Sequence, residues 1–538
     1  METDRSGCLI PYKYLYPYYP KKCTFAPSNF GHIYYMKPWQ IALFIILIIT
    51  CLGIISFFYP EEGVTLAKHT LNFPSIEKVL ADPNADLPDM PGDSLSRDKR
   101  IPKATLFNRK KREAIIAEIA KEDSIKQKRV EEQLDTLEHF KTTLASEGHF
   151  YLPDGDITYF DKFFARAAAA KSKNEVLRVL HYGDSQIEMD RISGNLRSWC
   201  QSKFGGGGPG LLPAVQTVAS YAVSQSASGP FTLYSTYGDG ARAKGNYGLM
   251  LKCYRLTGSG TFTANATSNK RTDNRVKRFS RVTLLYNDHD GKFRATLSDR
   301  KYHYDSTCTS AGAGIHAFRW QTDTSTASLR INMQGTADIY GIMIDNGPGV
   351  SVDNIPLRSS SGTQFTLVTD TILRQCYQLS DVGMIILQFG GNQMPSTYST
   401  ASINKYCATM QGQIRRIKSV CPNATLLFIG PSDMSHSYSG SLQTYTYLPA
   451  MVDSLRNMCL RNHVAYWDLY EVMGGRNSMV AWVKKGWAGP DYVHFTPTGA
   501  NYVGKTLAEN FATMYELYTT RRKMGAEQFD NLWDAAQN

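Results

Sequence analysis

The sequence predicts an α/β protein: a doubly wound parallel sheet, interrupted by an all-β sandwich insertion and preceded by a single transmembrane helix. Three observations carry that prediction. One uncharged apolar stretch, Ile41 to Tyr59, is long enough to cross a bilayer. After residue 150, short apolar runs alternate with stretches of helical periodicity, which is the pattern of βα units. Between residues 216 and 345 that pattern gives way to short alternating segments rich in Ser, Thr, Gly and aromatic residues, as packed antiparallel strands require.

The N-terminal elements come first. Residues 1–38 read as a cytoplasmic tail rich in tyrosine and proline, with Arg5, Lys13, Lys21, Lys22 and Lys37 against Glu2 and Asp4. Residues 39–59 read as the span, with Trp39 and Tyr59 at its ends and Glu61 and Glu62 beyond it. A signal-peptide core would be shorter and nearer residue 1. The positive-inside rule then puts everything after about residue 60 outside the cytoplasmic membrane. Residues 60–150 read as a tether and helical linker, opening with several prolines and the basic run Arg109 to Arg112. Over 111–145, Val130, Leu134, Leu137 and Leu144 recur at helical spacing, and their apolar face is expected to pack on the body that follows.

The body divides into 151–215, the insert at 216–345, and 346–538. Val176 to His181 predicts a buried strand and Ile187 to Phe204 a helix. The glycine-rich Phe204 to Gly210 lacks the Lys-Ser/Thr of a phosphate-binding loop and reads as a tight structural loop beside the site. After the insert, Asp381 to Phe389, Thr425 to Gly430 and Val464 to Leu469 predict strands. Ser402 to Val420 and Tyr447 to Asn462 predict helices. A closing helix runs from Pro497 to Leu517, with Thr496 as its cap.

Charge and cysteine usage exclude several function classes. The net charge is +11, but the basic residues are dispersed and none of them interleave with aromatics in a nucleic-acid module, so no nucleic acid is expected as a partner. A basic surface suits an anionic polymer such as a cell-wall glycan. Seven cysteines follow the span with no CxxC or Cys/His cluster, so no structural zinc is expected; the serine chemistry read below calls for no metal and no cofactor. Two readings fit those cysteines: bridges Cys253–Cys308 and Cys407–Cys421, or buried free thiols.

Three short motifs carry chemistry. Gly183-Asp184-Ser185 ends a strand and opens a helix. A serine there caps the helix, or serves as a nucleophile beyond the carboxyl end of a sheet strand, where open α/β sheets bind ligands. A serine nucleophile needs a base. Asp491 and His494, three apart before the closing helix, supply one: the carboxylate holds one ring nitrogen while the other faces the serine. Gly390-Gly391-Asn392 ends another strand, and the Asn392 amide can donate to a developing oxyanion. No G-x-S-x-G elbow occurs, which argues against the α/β-hydrolase fold.

Together these motifs resemble the blocks of the SGNH/GDSL hydrolases. Gly183-Asp184-Ser185-Gln186 matches the first block, Gly390-Gly391-Asn392-Gln393 the third, and Asp491-Tyr492-Val493-His494 the fifth. The second block, which gives a glycine N–H to the oxyanion hole, is matched by Gly362, with Gly349 and Ser361 as neighbouring alternatives. The resemblance implies Ser185, His494 and Asp491 as the catalytic set, with the Ser185 and Gly362 N–H groups and Asn392 as the oxyanion hole. The departures are Gln186 for leucine and Gln393 for aspartate. The insert between first and second blocks, and Pro431-Ser432-Asp433, resemble bacterial peptidoglycan and polysaccharide O-acetylesterases and O-acetyltransferases whose insert is like a carbohydrate-binding module. The implied partner is an acetylated envelope glycan. The implied activity is removal of O-acetyl groups through an acetyl-serine. The alternatives are transfer to a sugar hydroxyl, which would bring in a membrane acetyl-donor protein, or non-catalytic glycan binding.

Overall fold

The buried apolar runs become the strands of one six-stranded sheet: β1 Phe150–Tyr151, β2 Val176–Gly183, β3 Gly349–Pro356, β4 Val382–Gln388, β5 Thr425–Ile429 and β6 Ala465–Trp467. This computed structural model describes residues 64–66, 69–71, 113, 114, 116, 117 and 124–535, except 148, 239, 270, 271 and 300–303. The expected tail, the expected span at 39–59 and most of the tether lie outside the described residues. Among the described residues, no helix is long and apolar enough to cross a membrane. In the separate unit that ends at Asp93, Val64–Leu66 pairs antiparallel with His69–Leu71.

The sheet order is β3-β2-β4-β5-β6-β1, parallel throughout except for β1. Strands β2, β4 and β5 are buried almost without interruption because helices cover both faces. Side chains alternate between those faces. Val179, Ile386, Leu427 and Trp467 pack with α1 (Ser124–Glu147), α2 (Asp161–Ala170), α3 (Ser193–Phe204), α7 (Pro497–Met524) and α8 (Ala526–Ala535). Leu180, Leu387, Phe428 and Tyr466 pack with α4 (Asp370–Leu379), α5 (Thr400–Val420) and α6 (Leu448–Arg461). Helix α1 buries Val130, Leu134, Leu137 and Leu144 against α7 and α8, so its apolar stripe docks on the body.

The insert departs from a two-sheet sandwich. Its strands are antiparallel, but they share one nine-stranded network. The reason is the long strand Ser328–Asp345. It pairs with Lys252–Ala266 along one edge. Along the other edge it pairs first with Arg294–Asp299 and then with Phe279–Asp288. The sheet folds over Phe262, Leu284, Phe318, Trp320, Ile331 and Ile342. Its first strand is already Gly210–Leu212.

A buried charge cluster ties insert to sheet. Arg178 of β2 pairs with Asp345 at the end of the insert's long strand, and reaches Asp353 of β3 at 3.1 Å. Asp353 also accepts from the Leu211 N–H and the Ser351 hydroxyl. The glycine-rich loop belongs to this junction, not to the site: a side chain at Gly208 would strike the Ile344 carbonyl. The seven cysteines after residue 199 are free thiols, so neither expected bridge forms. Cys253 is fully buried and donates to the Asn246 carbonyl.

Candidate active site

Sheet register sets the site. Gly183, Pro356 and Gln388 are level partners across β2, β3 and β4. After β2 the chain leaves through the insert towards β3 on one side; after β4 it proceeds to β5 on the other. The carboxyl ends of β2 and β4 therefore form the topological switch point, where doubly wound sheets bind ligands. Ser185 follows β2 and Gly390-Gly391-Asn392 follows β4.

The expected helix from Ile187 is broken there. Ser185–Asp190 is a 3-10 turn, and α3 starts only at Ser193. Within the turn Met189 and Asp190 have φ of 62° and 67°, a left-handed conformation costly for non-glycine residues. Asp190 is held there by a buried ion pair with Arg197, and the Met189 carbonyl accepts from the Tyr221 N–H. Asp184 is both cap and anchor: its carboxylate accepts from the Gln186 N–H at 2.9 Å. Burial pushes its pKa up to about 6.

The structure brings Ser185, His494 and Asp491 together. Ser185 Oγ lies 2.8 Å from His494 Nε2, and His494 Nδ1 lies 2.7 Å from Asp491 Oδ2. The other Asp491 oxygen accepts from the Val493 and His494 N–H groups, both at 3.0 Å. Burial alone would raise the Asp491 pKa, but those hydrogen bonds outweigh it and hold the carboxyl below its ordinary value. The His494 and Asp491 side chains are 42% and 50% exposed, so water reaches the relay.

Of the three groups expected to line an oxyanion hole, two have an N–H left to donate and one does not. The Ser185 N–H has no acceptor among the described residues. Asn392 Nδ2 donates one hydrogen to the Ser360 carbonyl at 3.1 Å, which orients the amide and leaves its second hydrogen available. Gly362 is a correction. Its single N–H is spent on Ser360 Oγ at 2.9 Å. The glycine is there because φ is +79° and a side chain would strike the Phe389 ring. Gly349 donates to the Glu175 carbonyl inside the sheet and is no donor either.

Asp184, Ser185, Gly391, Asn392, Pro431 and Met434 enclose a small pocket of about 30 Å³. Asp433 points away from it, buried against Thr444 and the Met479 N–H, and fixes the loop that carries Pro431. Sequence reasoning missed the groups that hold the site together. Gln186 donates to the Val493 carbonyl at 2.6 Å and accepts from the Phe495 N–H at 3.2 Å, gripping the chain on both sides of His494. Arg191 donates to the carbonyls of Ser185 and Phe495 at 2.7 and 2.9 Å. One signal was present: a glutamine beside the serine, in a turn otherwise buried, needs partners. Among the described residues no cluster of metal-ligating side chains occurs.

Sheet order, switch-point serine and motif order together resemble those of the SGNH/GDSL hydrolase fold. No family model matches the sequence, and no curated protein matches it significantly. Solved structures do. A peptidoglycan O-acetylesterase superposes with a TM-score of 0.55 at 21% identity, covering 66% of this chain and 96% of its own. A family two carbohydrate esterase from Cellvibrio japonicus (9% identity, TM-score 0.22, 55% of this chain and 98% of its own) and a GDSL-like lipase from Bacteroides ovatus (8%, 0.24, 55% and 98%) are more distant. The first of these likenesses supports the fold.

Proposed function

We propose that this protein is a serine esterase that removes O-acetyl groups from a cell-envelope glycan, acting outside the cytoplasmic membrane and tethered through residues 39–59. The observation that carries the reading is the Ser185–His494–Asp491 relay, at 2.8 and 2.7 Å, at the sheet's switch point. His494 Nε2 takes the Ser185 proton as Oγ attacks the ester carbonyl. Asp491 keeps Nδ1 protonated and steadies the imidazolium that forms. The Ser185 N–H and the Asn392 amide meet the oxyanion. His494 then returns the proton to the leaving sugar oxygen. Water, activated by His494 in turn, releases acetate and frees the serine.

Two features support acetate and water over their rivals. The pocket beside Ser185 is small, at about 30 Å³, which suits the methyl group of an acetyl ester. The relay is open to solvent, so water needs no special path. The name of the peptidoglycan O-acetylesterase neighbour supports a glycan substrate. The test is acetate release from p-nitrophenyl acetate and from O-acetylated peptidoglycan, with and without an added oligosaccharide acceptor. Free acetate in both, unaffected by acceptor, is expected. Acetyl transfer to the acceptor in place of acetate release would overturn the hydrolytic reading.

A further inference from the structure

A second, larger cleft is lined by the later residues of the turn that carries Ser185. Where Asp184 to Gln186 face the acyl pocket, Glu188 to Asp190 face a cavity of about 250 Å³. Its wall on the catalytic side continues to Arg358, just past β3. Its opposite wall comes from the insert and includes Gln216, Tyr237 and Lys252. The cleft is therefore built jointly by the insert and the turn that carries Ser185. An ester with its acyl group in the small pocket and its carbonyl at Ser185 has this larger cleft at the far end of the same short turn.

The charges in the cleft do not cancel. Glu188 accepts from Arg358 Nε and Nη2, one bond to each carboxylate oxygen, at 2.6 and 2.7 Å. Asp190 is spoken for by Arg197. Both acids of the cleft are thus neutralised by arginines. Lys252 remains: its ammonium has no hydrogen-bond or ion-pair partner among the described residues. Burial pushes its pKa down to about 8, against the attraction of Glu188, so it still carries a proton at neutral pH. A half-buried cation without a partner is costly, and an entering anion removes that cost.

We infer that this cleft holds the sugar bearing the ester, and that Lys252 binds a carboxylate carried by that sugar or its neighbour. The inference rests on the glycan-esterase reading above and narrows it to acidic glycans. Two kinds of sugar supply such a carboxylate, a uronic acid and a lactyl ether of the muramic type.

The test uses O-acetylated disaccharides of both kinds, each as the free acid and as its carboxyl methyl ester, and follows acetate release. For wild type, kcat/KM is expected to favour at least one free acid over its ester by about 10-fold or more, the worth of one charge-assisted hydrogen bond. Whichever acid is preferred identifies the source. Lys252→Gln should erase the preference through KM, and Lys252→Arg should keep most of it, with melting curves confirming that both variants fold. Equal kcat/KM for acid and ester in wild type, or a preference that survives Lys252→Gln, overturns the role of Lys252 and leaves the esterase reading standing. Failure to cleave any disaccharide while p-nitrophenyl acetate is turned over overturns the glycan reading, and this inference with it.

Discussion

Replacing Gln186 with leucine would complete the resemblance to the first SGNH/GDSL block and remove the grip on His494. Three hydrogen bonds go: Nε2 to the Val493 carbonyl at 2.6 Å, Nε2 to Ser432 Oγ at 3.4 Å, and the Phe495 N–H to Oε1 at 3.2 Å. Phe495 is buried, so its N–H is left without a partner at a cost of about 1–3 kcal/mol, and the bond to Val493 adds about 1 kcal/mol. Stability should fall by roughly 2–4 kcal/mol. Arg191 still holds the Phe495 carbonyl, so His494 is loosened and not lost. A shift of up to about 1 Å in a catalytic group costs up to about 10²-fold. We therefore expect kcat for p-nitrophenyl acetate to drop about 10- to 100-fold, the loss falling on the proton transfers that need His494 in place. Steady-state kinetics on the folded protein, with a melting curve beside them, make the measurement. A lowered melting temperature with normal kcat would show that Gln186 holds the fold and does not position His494.

Other expectations follow from the same geometry. Asn392→Ala should cost about 10²–10³ in kcat with little change in KM, and about 1 kcal/mol of stability through the bond to Ser360; normal kcat would remove Asn392 from the oxyanion hole. Arg178→Met leaves Asp345 and Asp353 buried without their cation and should destabilise by roughly 3–5 kcal/mol in urea titration. A loss under about 1 kcal/mol would show that the insert junction does not depend on that cluster. Asp184 has a folded pKa raised to about 6, so the folded state holds its proton more tightly than the unfolded chain, and stability falls as pH rises from about 4 to 6. Asp184→Asn should then be more stable than wild type at pH 7, by on the order of 2 kcal/mol, with the difference gone by about pH 4. Equal melting temperatures at pH 7 would contradict the buried charge.

The parts legible in the sequence were those with a strong local signal. Ile386 and Phe428 sit in uniformly apolar runs that a sheet covered on both faces explains. Asp491 and His494 are three apart and hydrogen-bond within one loop, so spacing sufficed. What stayed hidden depends on distant partners. Strand β3 reads as polar because Asp353 is there to meet Arg178 and Ser351 donates to Asp353. The helix predicted from Ile187 fails because Arg197 and Tyr221 hold Met189 and Asp190 left-handed, a tertiary constraint overriding helical periodicity. Gly362 matched a motif by residue type, but the hydroxyl of Ser360 takes its N–H, and only coordinates show that.

The central claim is that Ser185 forms an acetyl ester during turnover. Rapid acid quench of the enzyme mixed with p-nitrophenyl acetate, followed by peptide mass spectrometry, reads it directly. The account predicts one added acetyl group on Ser185 in the wild-type protein, and in Ser185→Ala no such adduct, with turnover reduced by on the order of 10⁴ or more in a protein that melts normally. Acetate release at near wild-type rate from folded Ser185→Ala would contradict it.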